Sequence, residues 1–258
     1  MKRRSLSCFV IVCNEADRLD DCLQGLAGWV DQLIVLDSGS TDNTVDIARQ
    51  YTDEVYVTDW PGFGPQRNRA LGKCSYDWVL NIDADERMTD ELKQEIDALL
   101  SLDTLDANLV SIPWRTYLFG KPLRFGRYSS PQGKLFRKDG AQFKDAQVHE
   151  SLIIDKPKTA VLKSPLDHHS WRSYQHVQQK HLQYASLLAE QKFSAGKRGH
   201  ISYAILRSIT DFLQQYLLRL GFLDGVRGLL MAIILGQYAF HKYAALAALH
   251  LEADSKKA

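Results

Sequence analysis

Asp83, Asp85 and Glu86 crowd three carboxylates into four positions, straight after the apolar residues Trp78-Val79-Leu80 and Ile82. Like charges this close repel one another and each is costly to desolvate, so a cation or a set of hydrogen-bond donors must offset them. Asp-x-Asp at the end of a buried strand grips a hard divalent cation, Mg2+ or Mn2+, through carboxylate oxygens while the ion also takes phosphate oxygens. The competing reading is a solvated loop; the position after a strand favours the metal. Glu86-Arg87 reads as a surface ion pair. His149-Glu150 opens the zinc-protease pattern H-E-x-x-H, but the second histidine would fall on Ile153, which excludes that chemistry.

These residues act together only if secondary structure delivers them to one place. Leu6 to Val12 is an apolar run of strand length, and the helical spacing of Leu19, Cys22, Leu23 and Leu26 follows it. Gln32 to Leu36 predicts a second strand ending in turn formers from Asp37 to Asn43, then a helix from Thr44 to Ala48 and a third strand from Glu54 to Thr58. After the loop 59–65 a helix runs through Ala70 and Leu71, and Asp77 to Ile82 predicts the fourth strand. Thr89 caps a helix through Leu100, with Asp90 and Glu91 complementing its dipole. Alternating strands and helices predict an α/β fold with a mostly parallel sheet covered on both faces, whose ligand sits beyond the carboxyl ends of the strands. Asn14 and Glu15 follow the first strand, Asp37 the second, Asp83 and Asp85 the fourth, so they converge on one edge.

From 108 to 155, short runs and turn signals predict the later strands, with excursions around a site; beyond about Ser173 the chain reads helical. The expected division is residues 1–172 and a helical C-terminal extension, 173–258. The 258 residues, 45% hydrophobic and 24% charged, are ample for a core, and 32 basic against 31 acidic side chains make no case for a nucleic-acid partner. The N-terminal sequence MKRRSLSCFVIVCNEADRL has a basic start, but its apolar run is only about eight residues and lacks a small-x-small site, so it reads as a strand rather than a leader. Cys8, Cys13, Cys22 and Cys74 form no C-x-x-C pair and are expected as free, mostly buried thiols of a reducing compartment.

The chain resembles the family 2 glycosyltransferases of GT-A (Rossmann-like) fold, and within them the small bacterial lipopolysaccharide core β-1,4-glucosyltransferases. The matching residues are Asn14-Glu15, Asp37-Ser38-Gly39-Ser40-Thr41-Asp42, Gln66-Arg67-Asn68, Asp83-Ala84-Asp85-Glu86, Val148-His149-Glu150 and Arg219-Leu220-Gly221-Phe222-Leu223-Asp224-Gly225, in order across most of the chain. The resemblance implies an inverting transfer from a nucleotide sugar, with residues 1–172 holding the donor and acceptor. It implies Asp37 facing a uracil, Asn14 and Glu15 at the nucleotide with Glu15 on a ribose hydroxyl, and Arg67 offsetting diphosphate charge. Asp83 would lie nearer the ribose and Asp85 on the metal. Glu150 would be the general base, with Asp145 its nearest rival, and His168 of His168-His169-Ser170-Trp171 would complete the metal shell. Each has a bland alternative: a cap for Glu15 or Asp37, a surface arginine for Arg67, a structural histidine for His168.

The resemblance further implies UDP-glucose as donor and the inner core of lipopolysaccharide, or a related lipid-linked glycan, as acceptor, at the cytoplasmic membrane face. Competing readings are a dTDP- or GDP-sugar donor with an O-antigen or capsule acceptor, a nucleotidyltransferase, or a non-catalytic sugar-binding protein. A nucleotidyltransferase needs a glycine-rich loop after strand one, where Cys13-Asn14-Glu15-Ala16-Asp17 has no glycine, and no G-x-x-x-x-G-K-[ST] occurs. In the C-terminal part, Ile205, Leu206, Ile209, Phe212, Leu213, Tyr216, Leu217 and Leu220 predict an amphipathic helix over 201–220. Residues 228–240 are more apolar, but about 13 residues fall short of the roughly 20 that a crossing needs. Peripheral contact with an anionic membrane through Arg219, Arg227 and Lys242 is expected, against internal packing or a homodimer contact.

Overall fold

Leu6–Val12 (β1) is buried at all seven positions, without the polar alternation of a strand that faces water, so it must be covered on both sides. Its side chains divide between two apolar clusters. Leu6, Cys8, Val10 and Val12 meet Leu19 and Leu23 of α1 (Leu19–Gln24) on one face, whereas Phe9 and Ile11 belong to a cluster on the other. β1 lies between β2 (Gln32–Asp37) and β4 (Trp78–Asp83), parallel to both, and β3 (Val55–Val57) extends the parallel set beyond β2. Between these strands run α2 (Thr44–Ala48) and α3 (Phe63–Lys73), whose Ala70 and Leu71 join the Phe9 cluster. The register pairs Val12 with Asp37 and Ile11 with Asp83, so the carboxyl ends finish flush and set their polar residues side by side.

The computed structural model describes residues 3–144 and 151–255. It divides into two compact units, Met1–Arg115 with Ser130–Ser170 and Thr116–Ser129 with Trp171–Ala258. The first unit continues through β5 (Glu86–Arg87), α4 (Asp90–Leu100), β6 (Leu109–Leu118), β7 (Lys121–Pro122), β8 (Pro131–Arg137), β9 (Ala141–Phe143), β10 (Leu152–Ile154), β11 (Thr159–Val161) and β12 (Leu166–His168), with β7 and the end of β6 belonging to the second. Thr89 accepts from Leu92 N–H and so caps α4 as its sequence predicts. The sheet order is β3-β2-β1-β4-β8-β6-β12-β5. The later strands enter partly antiparallel, β8 against β4 and β6, and β12 against β5.

The second unit holds α5 (Tyr174–Ser194), α6 (Ile201–Leu213) and α7 (Gly225–Ser255), around a core that includes Leu118, Trp171, Val177, Met231, Ile234 and Leu235. The expected helix over 201–220 is shorter: α6 passes into a π-helical turn, Gln214–Leu218, and Leu220 takes a left-handed conformation at φ 58°. Residues Arg219 to Gly225 are therefore a junction rather than a helix end. Both carboxylate oxygens of Asp224 accept from Arg124 N–H at 3.1 Å, and one of them from Phe125 N–H at 3.0 Å. Gln215 Oε1 accepts from Arg127 N–H at 3.1 Å, and Gly126 N–H reaches Arg219 O at 3.1 Å. A Cβ on Gly228 would lie 1.7 Å from Gly221 O, so α7 can meet this turn only through glycine. Gly228→Ala is expected to lower the melting temperature by several degrees, equivalent to about 1–3 kcal/mol of overpacking. Calorimetry checks this; a shift under a degree would show that α7 slides freely away from the turn.

The apolar stretch 228–240 is embedded in a much longer helix. α7 with the 3-10 turn that precedes it, Gly221–Ser255, spans 35 residues, with a mean hydropathy of 1.3 in its most apolar window and 39% of that window buried, so among the described residues one helical segment is, by length and composition, apolar enough to cross a membrane. The expectation that it is too short is corrected: the flanking residues remain helical, which residues 228–240 alone do not reveal.

Candidate active site

Asp83 closes β4 at the carboxyl edge of the sheet, held from two sides. Arg67 Nη2 donates to Oδ1 at 2.8 Å and Lys134 Nζ to Oδ2 at 2.8 Å. Burial opposes its ionisation, but Arg67 and Lys134 outweigh burial and hold its pKa down to about 2. Lys134, on β8, also donates to Glu86 Oε2 at 2.8 Å, and Trp114 Nε1 donates to Glu86 Oε1 at 2.7 Å. Asp83 N–H adds a third bond to Glu86, at 2.9 Å. Glu86 is fully buried, which corrects the expected surface pair with Arg87; Arg87 pairs with Asp21 instead. Burial raises the Glu86 pKa, and Asp83 adds to the rise against the pull of Lys134. Burial alone would lower the Lys134 pKa, yet the two carboxylates raise it and keep the ammonium charged. Arg67 and Lys134 thus offset Asp83 and Glu86, two of the three crowded carboxylates, at 2.8 Å; the third is Asp85.

Asp85 faces a different pair. Arg18 Nη1 stands 3.5 Å and His168 Nε2 3.6 Å from its Oδ2, while its backbone carbonyl accepts from His169 N–H at 2.7 Å. His168 lies opposite Glu86 in the β12–β5 pairing and stacks on Trp114, with centroids 4.2 Å apart and planes at 21°. Of the adjacent histidines it is His168 whose ring approaches Asp85. Arg18 Nε is also 2.7 Å from Glu15 Oε2, linking the end of β1 to this corner.

The β1 and β2 ends form a second cluster. Asn14, at φ 54°, accepts Thr41 N–H at 2.8 Å, and Glu15 N–H donates to Thr44 Oγ1 at 2.8 Å. Asp37 is fully buried and caps its own turn: Oδ2 accepts from Gly39 and Ser40 N–H, both at 2.8 Å, and Oδ1 from the Ser40 hydroxyl. Three consecutive residues of α3 tie neighbouring segments to this edge. Gln66 donates to Ser38 at 3.0 Å and to Thr58 at 2.9 Å, Arg67 holds Asp83, and Asn68 makes two 2.8 Å bonds with the Phe143 backbone. Glu150 and Asp145 lie outside the described residues; the flanks of that segment are joined by Lys144 N–H to Ser151 O at 2.9 Å. Sequence reasoning missed Lys134, Trp114 and Arg18. A lone lysine beside Leu135-Phe136 was the available signal for the first, and the three-residue helical offset from Glu15 for the last.

Among the described residues no group of three or more His, Cys, Asp and Glu side chains converges as a cage for a metal. Mg2+ and related ions are held by one or two protein groups and complete their shells with phosphate oxygens and water. Cis donors on such an ion lie about 3 Å apart. The Asp85 carboxylate and the His168 imidazole, 3.6 Å apart, fit that requirement as a two-donor site. Asp83, with both oxygens bonded to cationic side chains, fits it less well.

A family model described as glycosyl transferase family 2 matches residues 7–157, more than half of the chain. The chain belongs to glycosyl transferase family 2. This glycosyltransferase is 30% identical to an uncharacterized glycosyltransferase of Rickettsia felis over 255 residues, covering 95% of this chain and 89% of that one. It is 27% identical over 248 residues to the lipopolysaccharide core biosynthesis glycosyltransferase LpsC of Rhizobium meliloti, covering 91% and 89%. Among solved structures, S. aureus TarS 1-349 in complex with UDP-GlcNAc is similar at 16% identity and a TM-score of 0.49, over 98% of this chain and 92% of that one. The glycosyltransferase has the expected GT-A sheet, with its polar residues at the carboxyl edge.

Proposed function

We propose that this glycosyltransferase is an inverting hexosyltransferase that takes UDP-glucose with a divalent cation and glycosylates the inner core of lipopolysaccharide, or a related lipid-linked glycan, at the cytoplasmic face of the membrane. The observation that carries the reading is the Asp83–Asp85 edge itself: one carboxylate fixed by Arg67 and Lys134, the next directed at His168. The printed name of the Rhizobium relative supports the core acceptor. In this reading Asn14, Glu15 and Asp37 form the nucleotide end, Asp37 by closing the turn that follows β2. Asp83 is held for the ribose and Arg67 stands beside the diphosphate. Asp85 and His168 hold the cation, which when bound neutralises charge developing on the leaving diphosphate. Glu150 takes the proton from the acceptor hydroxyl as its oxygen bonds to the anomeric carbon and the bond to the diphosphate breaks, which inverts the centre.

Thermal-shift measurements with UDP-, GDP- and dTDP-sugars in Mg2+ or Mn2+ test the donor. UDP-glucose is expected to stabilise most; a larger shift with a GDP- or dTDP-sugar overturns that assignment. Glu150→Gln keeps size and hydrogen bonding but not basicity, so transfer is expected to fall roughly 10²-fold at unchanged donor affinity. Lost donor binding with intact turnover would move Glu150 to the nucleotide and make Asp145 the base to test.

A further inference from the structure

Exposed apolar side chains on the second unit run along α6 from Ile201 to Leu213 and are densest where α6 hands over to α7. Leu217, Leu218, Leu220, Phe222, Leu223 and Val226 are all exposed within ten positions, Leu218 at 80% and Val226 at 82%. A soluble surface seldom gathers such residues without a partner. The rim is basic. Asp224 and Gln215 fasten the backbone of 124–127 to this junction, and Arg124, Arg127 and Arg219 are exposed there. Across 116–129 and 214–229 there are five basic side chains and one acidic, Asp224, whose oxygens already accept backbone N–H groups. Two residues named from the sequence as membrane contacts do other work. Arg227 Nε donates to Leu118 O at 3.2 Å, and Lys242 is half-buried over the rings of Tyr238 and Tyr243 at 5.4 and 4.9 Å.

We propose that the junction 217–226, with Arg124, Arg127 and Arg219 at its rim, docks this enzyme peripherally on an anionic phospholipid bilayer. An apolar tip enters the acyl boundary while arginines meet lipid phosphates at the headgroup level. Charge decides against a second copy, because a two-fold contact through this patch sets like charges against one another. The inference rests on the reading that the acceptor is carried in a membrane, and it names the surface that reaches it.

The test is flotation of the full chain with phosphatidylcholine vesicles, with and without phosphatidylglycerol. Binding is expected only to the anionic vesicles, with release by high salt or alkaline carbonate. Leu218→Glu with Val226→Glu is expected to abolish it. Changing Arg124, Arg127 and Arg219 together to Gln is expected to weaken it on the order of 100-fold, about fivefold per arginine. Both variants should keep the wild-type melting temperature and release UDP from UDP-glucose at the wild-type rate. Absence of flotation, or equal flotation of the variants, overturns the proposal. Resistance to carbonate would show that the helix crosses the bilayer instead. A wild-type dimer that Leu218→Glu splits would give the surface to a second copy. Vesicle binding needs no donor, so failure to turn over any UDP-sugar would sink the functional reading alone.

Discussion

Asp85→Asn is expected to lower glycosyl transfer by about 10²–10³-fold, the usual effect of removing one stabilising group from a developing anion. The amide is nearly isosteric, and the Asp85 carbonyl keeps its bond from His169 N–H, so the melting temperature should hold. What disappears is the charge that, in the proposed function, would hold the cation together with His168. Release of UDP from UDP-glucose measures the loss. Near-normal turnover in the variant, or full activity of the native protein in excess chelator, would rule out the metal-dependent mechanism.

The largest stability effect is expected at Lys134, which is 4% exposed and serves two carboxylates. Lys134→Met leaves Asp83 to Arg67 alone and Glu86 without a countercharge, at a cost of about 3–5 kcal/mol near pH 8. Glu86 already sits above its ordinary value through burial, and without the ammonium it rises further. A carboxyl that holds its proton more tightly folded than unfolded makes stability increase as pH falls. The variant's deficit should therefore shrink as pH drops toward the ordinary glutamate value of 4.5. The wild-type contribution of Asp83 runs the other way: it is present above the ordinary value of 3.8 and is lost as pH falls through about 2. Urea melts at pH 8 and pH 5 separate these outcomes. A deficit that does not change with pH would mean that Lys134 contributes packing rather than charge, and adding Glu86→Gln should then rescue nothing.

The parallel half of the sheet was legible because its signals are local. β1 is an apolar run broken only by Ser7, Thr44–Ala48 follows a cluster of turn formers, and Thr89 announces α4. The polar residues at the strand ends were equally legible, since a parallel register fixes where they finish. What stayed hidden depends on partners distant in sequence. Lys134 reaches Asp83 and Glu86 across 51 and 48 residues, and the antiparallel insertion of β8 that brings it there leaves no mark on the sequence near either carboxylate. Glu86 next to Arg87 looks like a surface pair until β5 is seen beside β12, which turns the two residues to opposite sides. The late motif around Gly221 resembled a functional signature; in the structure Gly221 answers to close packing against Gln215 O, Gly225 to a φ of 62°, and Asp224 to the backbone of 124–125.

The α3 triplet Gln66, Arg67 and Asn68 binds the turn after β2, the end of β4 and the backbone of β9 from less than one helical turn. One residue inserted upstream within α3 would rotate all three by about 100° and carry each away from its partner in the same event. Length changes in this helix are therefore expected to be far less tolerated than in the exposed connection 102–107, where an added residue costs little closure entropy. Relatives are expected to vary in length at that connection while α3 keeps its count, which would make the spacing from Gly62 to Asn68 a more sensitive marker of a working site than overall identity.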